Sequence, residues 1–170
     1  MNVFSKSYSK KIVSYDLLNK FNYNSLNELP QLFNIILKFD FKKYDYKLLI
    51  KCLFILELLS KSSPSVIISK KSELSLKIKK GFPVGCQVNL YREFSSILNT
   101  IITIQKLMFY KFKVNKNYID IDITNILNLP QLQNNYHFFK NTKNLSIRIL
   151  ITSNSREEIL YLMNSYKMNH

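Results

Sequence analysis

The chain predicts an α+β fold: an antiparallel sheet with helices packed mainly on one face and a basic β-hairpin loop protruding from it. Three observations carry this. Period-two alternation of apolar residues runs through 118–124 (YIDIDIT) and 145–152 (LSIRILIT), the signature of half-buried strands. Helical spacing of apolar residues holds over 94–107 and again after Ser155. Finally, both glycines of the chain, Gly81 and Gly85, bracket Pro83 inside SKKSELSLKIKKGFPVGCQVNLYR, residues 69–92. Alternating runs flank that turn, with Leu74, Leu76 and Ile78 before it and Val84, Cys86, Val88 and Leu90 after it. This reads as a hairpin closed by a loop of several residues. In so glycine-poor a chain the placement is a backbone demand, either a positive φ or a close approach to a partner.

In chain order, SKKIVSYDLLNKF (9–21) sets Ile12, Val13, Leu17 and Leu18 near helical spacing, with Ser9 as N-cap. FNYNSLNELP then turns, and Pro30 ends a short helical turn. Residues 32–41 form a strand through Ile35, Leu37, Phe39 and Phe41. DYKLLIKCLFILELLS (45–60) is apolar almost all round, which marks a helix buried against a sheet. KSSPS breaks it, and a short strand from Val66 to Ser69 leads to the hairpin. After the helix over 94–107 and the strand over 118–124, Pro130 in NLPQL acts as a breaker. Ser155 and Glu158 make a capping box for a last helix that runs to Tyr166 and buries Ile159, Leu160, Leu162 and Met163. Neither an internal repeat nor a linker interrupts the chain, so 1–170 reads as one domain that buries roughly 70% of its unfolded surface.

Lysine and arginine total 25 against 11 acidic residues, a formal charge of +14 and a pI near 9.7. At this size such a balance implies a polyanionic partner, nucleic acid first and an anionic membrane second. The only arginines are Arg92, Arg148 and Arg156. Lysine supplies point charges for phosphate, whereas base reading favours the guanidinium fork, so backbone and shape recognition is expected. Alanine and tryptophan are absent while Asn, Ile, Lys, Tyr and Phe abound, the residues of AT-rich codons. The opening MNVFSKSYSKK has neither the arginine of a transit peptide nor a signal peptide's apolar core. The longest apolar stretch, Leu48 to Leu59, is interrupted by Lys51 and Glu57 and is too short to span a bilayer.

Catalysis has no support in the sequence. Asp120 and Asp122 are expected on a solvated or RNA-facing strand edge, without a histidine, lysine or metal partner at recognisable spacing. His137, placed in a polar turn, and His170 form no metal set or nucleophile-activating pair. KKGFPVG lacks the spacing of a phosphate-binding P-loop. Cys52 and Cys86 read as small buried hydrophobes. No cofactor and no metal are expected. Binding has more behind it: Lys70, Lys71, Lys77, Lys79 and Lys80 could neutralise phosphates, and Phe82 at the loop tip offers a ring for stacking. The plain alternative is a solvated hairpin whose Phe82 packs back on the sheet.

At the hairpin the chain resembles a known family. KSELSLKIKKGFPVGCQVNL is similar to the phrase KS…FKIR-x-G-[YF]-P-[IV]-G-C-x-V-T-L of the L-five family of large-subunit ribosomal proteins. FNYNSLNELPQLFNIILKF, NYIDIDITNILNLPQL and NLSIRILITSNSREEILYLM resemble further family segments, in the same order, from about Tyr8 to Met163. The resemblance implies one α+β domain in the central protuberance, bound to ribosomal RNA (5S rRNA or its replacement) and to neighbouring large-subunit proteins. It also implies a loop, Lys79, Lys80, Gly81, Phe82, Pro83, Val84 and Gly85, facing the P-site tRNA, and a bridge to the small-subunit head protein S-thirteen. Lys38-Phe39-Asp40 stand where the family has Asn-Met-Gly, Ser62 where it has Gln, and Asn89 where it has Thr. Lys38, Asn89 and Arg92 therefore join the five lysines as RNA-binding candidates. The composition bias suggests a mitochondrial, organelle-encoded version. The alternative is a free-standing basic RNA-binding protein, such as an assembly or RNA-processing factor; no basic amphipathic helix supports membrane binding.

Overall fold

A computed structural model describes residues 9–41, 45–72, 78–91, 97–100, 112–140, 142 and 144–166. Six strands form one sheet of order β2-β3-β1-β6-β5-β4, with β1 Gln31–Asp40, β2 Ser65–Ile68, β3 Pro83–Leu90, β4 Phe112–Val114, β5 Tyr118–Ile123 and β6 Leu145–Thr152. The helices are α1 Ser14–Lys20, α2 Tyr46–Ser60, the short α3 Pro130–Gln133 and α4 Tyr136–Phe139, and α5 Arg156–Ser165. The fold is α+β with an antiparallel sheet, as the alternation predicts. Two compact units divide it, one of 1–35, 91–121 and 148–170, the other of 36–90 and 122–147, with the boundaries falling inside β1, β5 and β6.

In the first unit, β6 and β5 bury alternate residues. Ile149 and Ile151 point inward with Ile119 and Ile121, while Tyr118, Asp120, Arg148 and Thr152 point outward. α1 packs against α5, Phe21 meets Tyr161 edge-on at 5.9 Å, and Lys20 Nζ lies 4.1 Å from the Tyr161 ring centroid. The capping box forms: Glu158 N–H donates to Ser155 Oγ at 3.3 Å. Its carboxylate reaches one residue further back than expected, accepting from Asn154 N–H at 3.0 Å. Burial and the nearby Glu158 charge push the Tyr23 phenol up to about 12.

In the second unit, α2 packs on β3. Asp45 caps α2 by accepting from the N–H groups of Lys47 and Leu48. The helix ends at Lys61, held left-handed at φ 54°, a position that glycine usually fills. Leu49, Cys52, Ile55 and Leu56 are buried, and Phe54 lies 6.0 Å from Phe139, ring to ring.

Several expectations need correction. Ser9 opens a π-helical turn, Ser9–Val13, that runs on into α1, and its capping side chain lies outside what the structure describes. Pro130 starts α3 rather than breaking structure, because its missing N–H costs nothing at a first helical position. His137 sits in α4, and Leu160 is half-buried. Of the helix expected over 94–107, 97–100 is helical and the remainder lies outside the described residues.

Candidate nucleic-acid interface

The hairpin is built differently from its expected form. The strand paired with β3 is β2, in the register Ser65↔Gln87, Val66↔Cys86, Ile67↔Gly85 and Ile68↔Pro83, with an irregularity between Ile67 and Ile68. Of the arm expected from Leu74 to Ile78, only Ile78 lies within the described residues, where it forms an isolated bridge. Past Ile68 the ladder continues: Ser69 N–H donates to the Phe82 carbonyl at 2.9 Å, and Gly81 N–H donates to the Ser69 carbonyl at 3.0 Å. Gly81 and Phe82 therefore close the neck of the excursion over 70–80. Phe82 is not at a tip; cross-strand pairing to Ser69 holds it at the root, 38% exposed.

Two separate backbone demands account for the two glycines. Phe82 N–H donates to the Lys79 carbonyl at 3.2 Å, closing a turn over 79–82. Gly81 is its third residue at φ +91°, and Lys80 has no positive φ, which is the type II pattern. A Cβ added at Gly81 would meet nothing within 4 Å, so the demand there is conformational. Gly85 is different. It is buried in β3, and a Cβ there would come within 3.0 Å of the Phe39 carbonyl oxygen, closer than real Cβ atoms approach. Its partner is the backbone of β1. Pro83 and Val84 are half-buried strand residues, and the Val84 carbonyl accepts from Phe41 N–H at 2.8 Å. Of the seven loop residues expected to face a partner, Lys79, Lys80, Gly81 and Phe82 do stand exposed, while Pro83, Val84 and Gly85 belong to the sheet.

Lys70 and Lys71 leave the neck on one side, Lys79 and Lys80 return on the other, and all four are exposed. The ladder at Ser69 thus gathers four cations around one root. Lys77 and Arg92 lie outside the described residues. Lys38 and Asn89 stand on the adjacent strands β1 and β3. Lys38 is ion-paired with Asp40 at 2.9 Å, both side chains being largely exposed.

Asp120 is not on an edge, because β4 pairs with β5 over Ile119–Ile121. Arg148 clamps Asp120 bidentately, Nε to Oδ1 at 2.7 Å and Nη2 to Oδ2 at 2.9 Å. The guanidinium carbon lies 4.3 Å from the Tyr118 ring centroid, and the Asp120 carboxylate holds Arg148 more firmly charged. Asp122 accepts from Ser146 Oγ at 2.8 Å. Sequence reasoning missed this clamp, although the outward positions of two alternating strands were there to be paired. Cys52 and Cys86 are fully buried. Their mutual hydrogen bond, then burial, push the Cys86 thiol far above its ordinary range, leaving it inert. Among the described residues, no three metal-ligating side chains converge, and no helix is long and apolar enough to cross a membrane.

No family model matches the chain. Individual relatives do. The large ribosomal subunit protein uL5m of Reclinomonas americana is 31% identical over 99% of this chain and 97% of its own length. The chain belongs to the uL5 family. The uL5 protein of Buchnera aphidicola is 30% identical over 89% of both chains, and that of Oceanobacillus iheyensis 27% identical over 96% of this chain and 95% of its own. As a uL5 protein the chain is structural and non-enzymatic.

Proposed function

We propose that the chain is a structural component of the mitochondrial large ribosomal subunit, binding ribosomal RNA as one domain over 1–170. The observation that carries this reading is the full-length match to uL5m together with the four lysines gathered at the hairpin neck. Lys70, Lys71, Lys79 and Lys80, together with Lys77 and Arg92, supply the cations for RNA phosphates. The type II turn at 79–82 presents Phe82 between them as an apolar platform, and this root is the part that meets the P-site tRNA. Pro83, Val84 and Gly85 support it from the sheet.

The outward sheet residues contribute in another way. Lys38 and Asn89 on adjacent strands of the sheet meet 5S rRNA, or whatever replaces it. Placement in the central protuberance beside other large-subunit proteins, a bridge to S-thirteen of the small-subunit head, and encoding in the organelle complete the reading. Sucrose-gradient sedimentation of mitochondrial extracts tests it: the chain is expected at one copy per large subunit after a high-salt wash. Recovery only in light fractions would leave a free-standing RNA-binding protein instead.

A further inference from the structure

α2 carries a second apolar face that the described residues cover only in part, Phe139 meeting Phe54 at one end of it. Its inward face buries Leu49, Cys52, Ile55 and Leu56. On the opposite side Tyr46, Ile50 and Phe54, spaced four residues apart and so aligned along the helix, are 61%, 49% and 49% exposed. With aromatic side chains of about 150–250 Å² each, the exposed stripe amounts to roughly 300 Å², comparable to the largest apolar patch of a typical monomer, which is often functional. A helix apolar on every side is normally enclosed; here one side is left open.

We infer that this stripe is the docking site for an amphipathic helix of a neighbouring protein, one with an apolar stripe and an acidic flank. The inference rests on the ribosomal reading above. Charge selects the occupant. Lys47 and Lys51 follow the stripe along one flank, one exposed and the other half-buried, and call for acidic partners on that side. Glu57, eleven residues after Tyr46, returns to the stripe itself at 100° per residue and is exposed. A carboxylate on the contact line repels phosphate, and Ile50 at the centre offers an RNA backbone nothing to bond. RNA is thereby disfavoured here, in contrast with the hairpin neck. A second copy of this chain would bring a second +14 charge and the same lysine flank.

The test uses assembled particles. With p-benzoylphenylalanine placed at position 54, ultraviolet irradiation of purified large subunits is expected to yield an adduct to a protein helix bearing acidic residues beside its apolar stripe. An adduct to ribosomal RNA, or none, overturns the proposal. Ile50→Lys with Phe54→Lys is expected to lower the occupancy of the adducted protein about tenfold or more, since losing one buried anchor already costs that much in affinity. The altered chain itself should stay in the subunit peak, because both positions face outward. Undiminished occupancy of the adducted protein would overturn the proposal. Absence of the unaltered chain from the subunit peak would fell the ribosomal reading, and the docking site with it.

Discussion

Gly81→Ala and Gly85→Ala should behave differently, since the two glycines answer different demands. At Gly85 an added methyl group meets the Phe39 carbonyl oxygen of β1. A backbone acceptor in a sheet cannot rotate aside, so β3 and β1 must separate. Overpacking of this kind costs about 1–3 kcal/mol, and the rigid neighbour puts Gly85→Ala at the upper end. For a chain of this length each kcal/mol moves Tm by about 2–4 °C, which gives a fall of roughly 6–12 °C. At Gly81 the methyl group meets open space, and the cost is the left-handed backbone alone, about 1–2 kcal/mol. Loss of unfolded-chain freedom offsets about 0.4–1 kcal/mol of that, leaving a fall of roughly 1–4 °C. Thermal unfolding of the purified chain, followed by far-ultraviolet circular dichroism, reads both. A Gly85→Ala variant melting within about 2 °C of the parent, or a Gly81→Ala variant losing as much as Gly85→Ala, would refute the assignment of the two demands.

Removing Lys79 and Lys80 together should flatten the dependence of log Kd for ribosomal RNA on log salt by about 1.5, near 0.7–0.9 per phosphate contact; filter binding from about 50 to 200 mM salt reads this, and an unchanged slope excludes those lysines from the phosphates. The Arg148–Asp120 pair, bidentate but part-exposed, should show a coupling of about 0.5–1 kcal/mol in a double-mutant cycle of Arg148→Ala and Asp120→Ala by urea unfolding; no coupling would reduce the clamp to a surface coincidence. Lys61→Gly relieves a left-handed residue and should stabilise the chain by about 1 kcal/mol, visible as a higher Tm; an unchanged or lower Tm refutes that source of strain. The Tyr23 phenol, raised from 10.0 to about 12 by burial and Glu158, binds its proton more tightly when folded. Its contribution is fully present below pH 10 and disappears as pH rises through 12. Tyr23→Phe should lose less stability than the parent as pH rises across that window, and parallel melting curves across it would contradict the shift.

What was legible in the sequence, and what was not, follows from which patterns admit a single reading. In β5 and β6 each odd residue is Ile or Leu and each even one mostly polar, so a one-residue slip would expose a whole apolar row; the buried faces follow directly. The hairpin offered no such constraint. Both 65–68 and 74–78 can alternate against β3, and the choice between them rests on cross-strand hydrogen bonds with Ser69 and Gly81 that local patterning does not encode. Reading the nearer run as the partner arm moved the root of the loop outward and carried Phe82 with it to a tip. The glycines were located correctly as backbone demands, but their separation into a turn and a strand contact needed the carbonyl of Phe39, 46 positions from Gly85 in the sequence. The Arg148 clamp was hidden for the same reason: its partner Asp120 lies 28 residues away, on a strand whose neighbours the sequence alone left open. α2 packs on the sheet as its hydrophobicity implies, yet Tyr46, Ile50 and Phe54 stay about half-exposed. For a protein that works inside a larger particle, apolar surface that the chain itself leaves open is where burial by a neighbour should first be sought, and Phe54 is where that burial is most directly measured.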